Sequence, residues 1–164
     1  MKGTELPMVV RALRGPVGTF VRDSRVRISL LVNRSGQVLA QHGFTGSYEV
    51  MNVASLAAAA HASARALADL TRSGGWTHLH HAGAERQLFL APLDTPIEPL
   101  ILVAIFDGQS SLGLVQLFFQ RLATKIATLP ELQRMAPSPD SRSFEKDLEA
   151  GIERVFSPDN RRED

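Results

Sequence analysis

Residues 102–119 read LVAIFDGQSSLGLVQLFF, an apolar run that stops at Asp107-Gly108, crosses two serines and turns apolar again. A strand entering a phosphate-binding turn and helix has this outline. Such a loop needs backbone N–H groups freed by several glycines, and a lysine for the outer phosphates. Neither the GxxxxGK[ST] nor the GxGxxG spacing is present, and the next lysine is Lys125, well into the following apolar stretch. Asp107 would also set a carboxylate against the bound anion. The residues fit a corner: Gly108 turns the chain, Ser110 or Ser111 caps a helix, and Gly113 lets helix and sheet approach closely.

A second stretch, THLHH at 77–81, invites a metal. On a strand His78 and His80 share a face, and His42 or His61 could supply a third ligand, but no Asp/Glu pattern lies nearby and the chain has no cysteine. Surface or hairpin histidines are the simpler reading. The lack of cysteine also removes thiolate catalysis and disulfides. No spacing selects a Ser/His/Asp triad. The carboxylates Asp147 and Glu149, and Glu163 and Asp164, fall on a helix flank and at the terminus, where solvated charge explains them. No cofactor motif is legible. A net charge of +1, scattered arginines, one Trp and one Tyr give no basic face interleaved with aromatics, so nucleic acid is not an expected partner. No stretch approaches the ~20 apolar residues of a membrane helix. The N-terminal apolar portion carries Arg and Asp, unlike a signal peptide. The expectation is a cytoplasmic protein.

The chain's 164 residues suit one domain with a proper core. Residues 5–23 place Val10, Leu13, Val17, Phe20 and Val21 at helical spacing, with a break expected at Gly15-Pro16. Val26, Ile28 and Leu30 alternate with polar residues, 33–36 (NRSG) make a turn, and 37–42 return as a hairpin. Residues 50–71 form the clearest helix, alanine-rich and without internal Gly or Pro, stopping at Ser73-Gly74-Gly75. Strands follow at 76–81, 87–92 and 100–106, then a helix over 112–129. The order implies an α+β fold with a five-stranded antiparallel sheet. The domain spans 1–129. Linker composition occupies 130–142, a short amphipathic helix 143–156 with Ser143 as a candidate N-cap, and a polar tail 157–164.

Two surfaces lack an evident cover. In the 50–71 helix, Leu56, Ser63, Leu67 and Leu70 share a stripe expected to face the sheet. Roughly opposite lie Ala54, Ala58, Ala62 and Ala66, flanked by Arg65 and Asp69. A solvent face ordinarily carries Lys and Glu. Methyl groups four apart let another backbone approach and lose little side-chain entropy on burial. An interface is the reading, with a wet alanine face as the alternative. In the tail, Phe144, Leu148, Ile152, Val155 and Phe156 form an apolar stripe on a helix too short to stand alone in water. It can dock on its own domain, a neighbour or a client.

The 102–118 stretch resembles the strand–turn–helix of the Roadblock/LC7 family, in particular its bacterial MglB-type branch, where an Ile-Phe-Asp turn leads into a Ser-Leu-Gly-Leu-Val helix start. LLVNRSGQVLAQHG resembles the family's first hairpin, and VASLAAAAHASARALADL its central helix. HHAGAERQLFLAPL resembles the next hairpin, with His81 and Gly83 on the family's His-x-Gly, and FEKDLEAGIERVFS the C-terminal helix of the MglB type. The resemblance covers about 26–157. It departs at Ala59-Ala60, where the family commonly carries Gly-Asn. It implies a profilin-like, helix-sandwiched sheet and a homodimer, joined edge to edge with central helices side by side. That pair would form a platform for a Ras-like small GTPase of the MglA type, which sets cell polarity and motility. It implies stimulated GTP hydrolysis by remodelling of the GTPase's own catalytic residues, with nucleotide exchange tied to the C-terminal helix and no catalytic residue in this chain. Arg65 is the best-placed candidate for an arginine finger, but the resemblance implies none, and a carboxylate on a partner or second protomer is its expected contact. The partner-binding candidates are therefore Ala54, Ala58, Ala62, Arg65, Ala66 and Asp69, with Phe144, Leu148, Ile152 and Phe156 in the tail. The alternatives are a Roadblock scaffold that leaves GTPase turnover unchanged and, more remotely, a small-ligand sensor.

Overall fold

The computed structural model describes residues 6–43 and 46–136. The expected tail helix over 143–156, and with it Phe144, Leu148, Ile152 and Phe156, lies outside the described residues.

Helix α1 (Leu6–Ser24) leads into the hairpin β1 (Ile28–Asn33) and β2 (Val38–His42), then the long helix α2 (Ser47–Leu70). Strands β3 (Leu79–Ala82), β4 (Gln87–Leu93) and β5 (Leu100–Phe106) follow, then α3 (Leu112–Ala127) and α4 (Pro130–Met135). The sheet order is β2-β1-β5-β4-β3, and every pairing is antiparallel. The expected α+β architecture and hairpins stand as read. Among the described residues no helix is long and apolar enough to cross a membrane.

Strand β5 is central because its side chains are apolar on both faces, which only a doubly covered strand tolerates. Leu100, Leu102, Ala104 and Phe106 pack with Leu13, Phe20, Leu122 and Ile126 under α1 and α3. Ile101 and Val103 join Leu30, Val32 and Leu90 under α2.

Two expectations need correction here. Pro16 does not break α1, which runs through it. Proline removes one helical hydrogen bond, but Val9, Leu13, Val17, Phe20 and Val21 are all buried, so one continuous stripe holds both halves to the sheet. Nor does 130–142 begin as linker. Pro130 takes a first-turn position, where its missing N–H costs nothing, and Leu132 is 1% exposed, anchoring α4 in the core.

The helix stops are local. Arg72 adopts φ 52, with its N–H donating to the Asp69 carbonyl and the Ser73 N–H to the Ala68 carbonyl. That is the left-handed stop motif, one residue earlier than the Ser-Gly-Gly expected for it and built on arginine.

Candidate functional site

At the 107–111 corner, Asp107 accepts hydrogen bonds from the Gln109 N–H at 2.9 Å and from Arg27 Nε at 2.8 Å. The Gln109 N–H first, then Arg27, hold its carboxyl below the ordinary 3.8. Ser111 caps α3 by accepting from the Leu114 N–H, while Ser110 Oγ donates to the Ser24 carbonyl and ties the corner to α1. Gly113 has open space around it, so the close approach expected of it is not what it serves. Asp107, Ser110 and Ser111 are thus all used to shape the chain.

Two of the histidines of 77–81 are also engaged. His78 stacks on Phe89 and bonds Gln116, and His80 stacks on Phe106 and bonds Gln87. Among the described residues, no group of three His, Asp or Glu side chains could hold a metal.

That leaves α2. Its stripe toward the sheet is Val50, Ala54, Ala57, His61 and Ala68, each buried, with Ala64 half-buried between them. The expectation that Leu56, Ser63, Leu67 and Leu70 face the sheet is therefore wrong. Leu56 is 69% exposed, Leu67 61% and Leu70 81%. Ala54, expected on the partner face, is 1% exposed and belongs to the core. Packing decides this: a 24-residue helix lying across β1, β5 and β4 sits close to the sheet only if its contact residues are small. The i, i+4, i+7, i+11 spacing from Val50 through Ala54, Ala57 and His61 carried that signal, but leucines outrank alanines when the apolar face is chosen by side-chain size.

Beyond the sheet contact, α2 presents two flanks, roughly 120° apart at 100° per residue. One carries Leu56, Leu67 and Leu70. The other carries Ala58, half-buried, and Ala62, Arg65, Ala66 and Asp69, all exposed. With Arg34 and His61 these five line an open groove of about 320 Å³. Arg34 comes from the β1–β2 turn, which Asn33 shapes by accepting from the Ser35 and Gln37 N–H groups. Ala59 is exposed on the outer surface, whereas Ala60 is half-buried against the α2 core.

His61 was missed as a site residue. It is 6% exposed, its ring lies 5.4 Å from that of Trp76, and neither ring nitrogen has a hydrogen-bond partner. A buried polar group left so costs about 1–3 kcal/mol. Burial first, then Arg34 and Arg65, push its pKa below the ordinary 6.5, so the ring is neutral at neutral pH. The arginines themselves are unspent: the ion pairs among the described residues are Arg22 with Asp23 and Arg27 with Asp107.

Among the described residues β3 is the last strand of the sheet, and Leu79 on it is 37% exposed. A free edge with an apolar side chain is a template for another strand. A separate groove of about 410 Å³ lies on the opposite face between α1 and α3, where Arg121 sits 5.0 Å over the Phe118 ring.

The Roadblock/LC7 domain family matches residues 17–106. Among solved structures, Myxococcus xanthus MglB is similar at 25% identity, over 77% of this chain and 88% of that one, with a TM-score of 0.64. The gliding protein MglB of Thermus thermophilus is similar at 27% identity, over 83% and 93%, with a TM-score of 0.58. An MglB with tetrameric arrangement is 28% identical over 80% and 93%, at 0.60. No match is found among the curated proteins.

Proposed function

The chain belongs to the Roadblock/LC7 family, and from that premise we propose that it is a homodimeric regulator of a Ras-like small GTPase of the MglA type. It stimulates GTP hydrolysis, and nucleotide exchange through its tail, without an active site of its own, and it acts in the cytoplasm on cell polarity or motility. The observation that carries this reading is the exposed apolar surface of α2: Leu56, Leu67 and Leu70 on one flank, Ala58, Ala62 and Ala66 on the other. Leucines at this exposure on a helix that packs on β1, β5 and β4 call for a cover. A second copy can supply it by joining β3 to β3 and laying the two α2 helices together. The alanine flank then remains open for the GTPase. Arg65, exposed on that flank and lining the groove with Arg34 and His61, serves in this proposal as a docking contact and not as a catalytic finger.

The test is phosphate release from an MglA-type GTPase of the same cell, with and without saturating protein. Faster release supports the proposal, and equal rates with binding intact leave a scaffold. Ala62→Arg and Ala66→Arg are expected to weaken GTPase binding at least tenfold with unchanged protomer stability, read by titration calorimetry and urea denaturation. Unchanged binding by both would place the platform elsewhere.

A further inference from the structure

The α2 groove combines two unpaired guanidiniums with a buried imidazole that has no hydrogen-bond partner. Arg34 approaches from the β1–β2 turn and Arg65 from the helix, both exposed, and His61 stands in the wall they share. The one acidic group on the rim is Asp69, a helical turn beyond Arg65 and in no ion pair among the described residues. The groove is thus cationic overall. Its remaining surface is the alanine methyls of mid-helix, where backbone N–H groups are already spent within α2, so no nest of free amides is present to hold a phosphate. A dianion would also meet Asp69. A singly charged, planar carboxylate matches two forked donors far better.

We propose that this groove is a socket for one acidic side chain, a Glu or Asp of the bound GTPase, held between Arg34 and Arg65 with its carboxylate against the His61 ring. This rests on the function proposed above and adds the chemistry of the contact. The carboxylate neutralises both guanidiniums, whose charge bears on the buried imidazole beside them. It also changes the proton balance. In the free protein burial first, then Arg34 and Arg65, oppose a charge on His61. A docked carboxylate offsets both guanidiniums and raises the ring's pKa relative to the free protein, so association takes up a proton and tightens as pH falls. Asp69 is the other titratable group lining the groove.

Calorimetric titration of the full chain with the GTP-loaded GTPase, at pH 7.5 and 6.0 and in buffers of different ionisation enthalpy, tests the socket. Arg34→Glu and Arg65→Glu are expected to weaken binding at least tenfold each, while Arg14→Glu, exposed on α1 on the other face of the sheet, changes it little. His61→Phe is expected to keep binding at pH 7.5 but lose both the proton uptake and the gain at pH 6.0. His61→Gln serves as the second variant if the phenylalanine does not fold. If the GTPase binds and neither arginine reversal weakens it more than Arg14→Glu, the socket is wrong and the function stands. If the arginine reversals act but no proton is taken up, the carboxylate is not against His61 and the proposal fails as stated. If the parent protein binds no GTPase in either nucleotide state, both fall together.

Discussion

On one face of the sheet, α1 and α3 set Leu13, Phe20, Leu122 and Ile126 over Leu102 and Phe106. On the other, α2 alone offers Val50, Ala54 and Ala57 over Ile101 and Val103. The first cover is thick and spends its large side chains inward. The second is thin and turns its large side chains, Leu56, Leu67 and Leu70, outward. A face built this way leaves apolar surface uncovered on α2. Under the proposed function, stability and recognition divide between the two sides of one sheet.

That division can be broken in order of size. Phe106→Ala on the thick side is expected to cost about 3–5 kcal/mol in urea denaturation; a loss under about 1 kcal/mol would mean that this face is not the main core. Ala54→Leu on the thin side is expected to cost about 1–3 kcal/mol by overpacking the helix–sheet seam. A neutral result would show that α2 can lift off the sheet freely. Replacing Arg72 by glycine relieves a left-handed residue at the α2 stop and is expected to raise stability by up to about 1 kcal/mol, measured by the same denaturation. Leu67→Ser is expected to move protomer stability by no more than about 0.5 kcal/mol, yet to shift sedimentation from dimer toward monomer. A protomer that unfolds instead would put Leu67 in the core.

The pH dependence sharpens the same contrast. The folded His61 has its pKa below 6.5, whereas the unfolded ring titrates near 6.5. Between the two values the unfolded chain binds more protons, so stability is full above 6.5 and declines as pH falls below it. In His61→Phe this decline should flatten, as read by denaturation midpoints of the unliganded protein across that range.

Much of the architecture was legible because it is written locally. Asn33 and Gly36 specify their turn, Leu100–Phe106 is apolar without interruption, and Ser111 is a sound cap. Helix α2 was legible as a helix but not in its rotation. Alanine and leucine both count as apolar in a periodicity, and only the distance between helix and sheet says which of them goes inside. Pro16 misled for the opposite reason, since tertiary burial of Leu13 and Val17 overrides what proline does to an isolated segment, whereas Pro130 opens a short helix that Leu132 anchors. The place of His61 in the groove could not be read, because it depends on Arg34, brought across from the β1–β2 turn.

The register of the central strands sets the order in which the molecule can be made. Ile28 pairs with Ile105 and Asn33 with Leu100, so most of the domain lies between partners at the middle of the sheet. During synthesis the first hairpin emerges with one side of β1 unmatched, and it waits there until the chain has been extended through Phe106. Closure over so long a sequence separation is slow, and in that interval Leu30, Leu31 and Val32 are the residues that a chaperone, or a neighbouring nascent chain, would meet first.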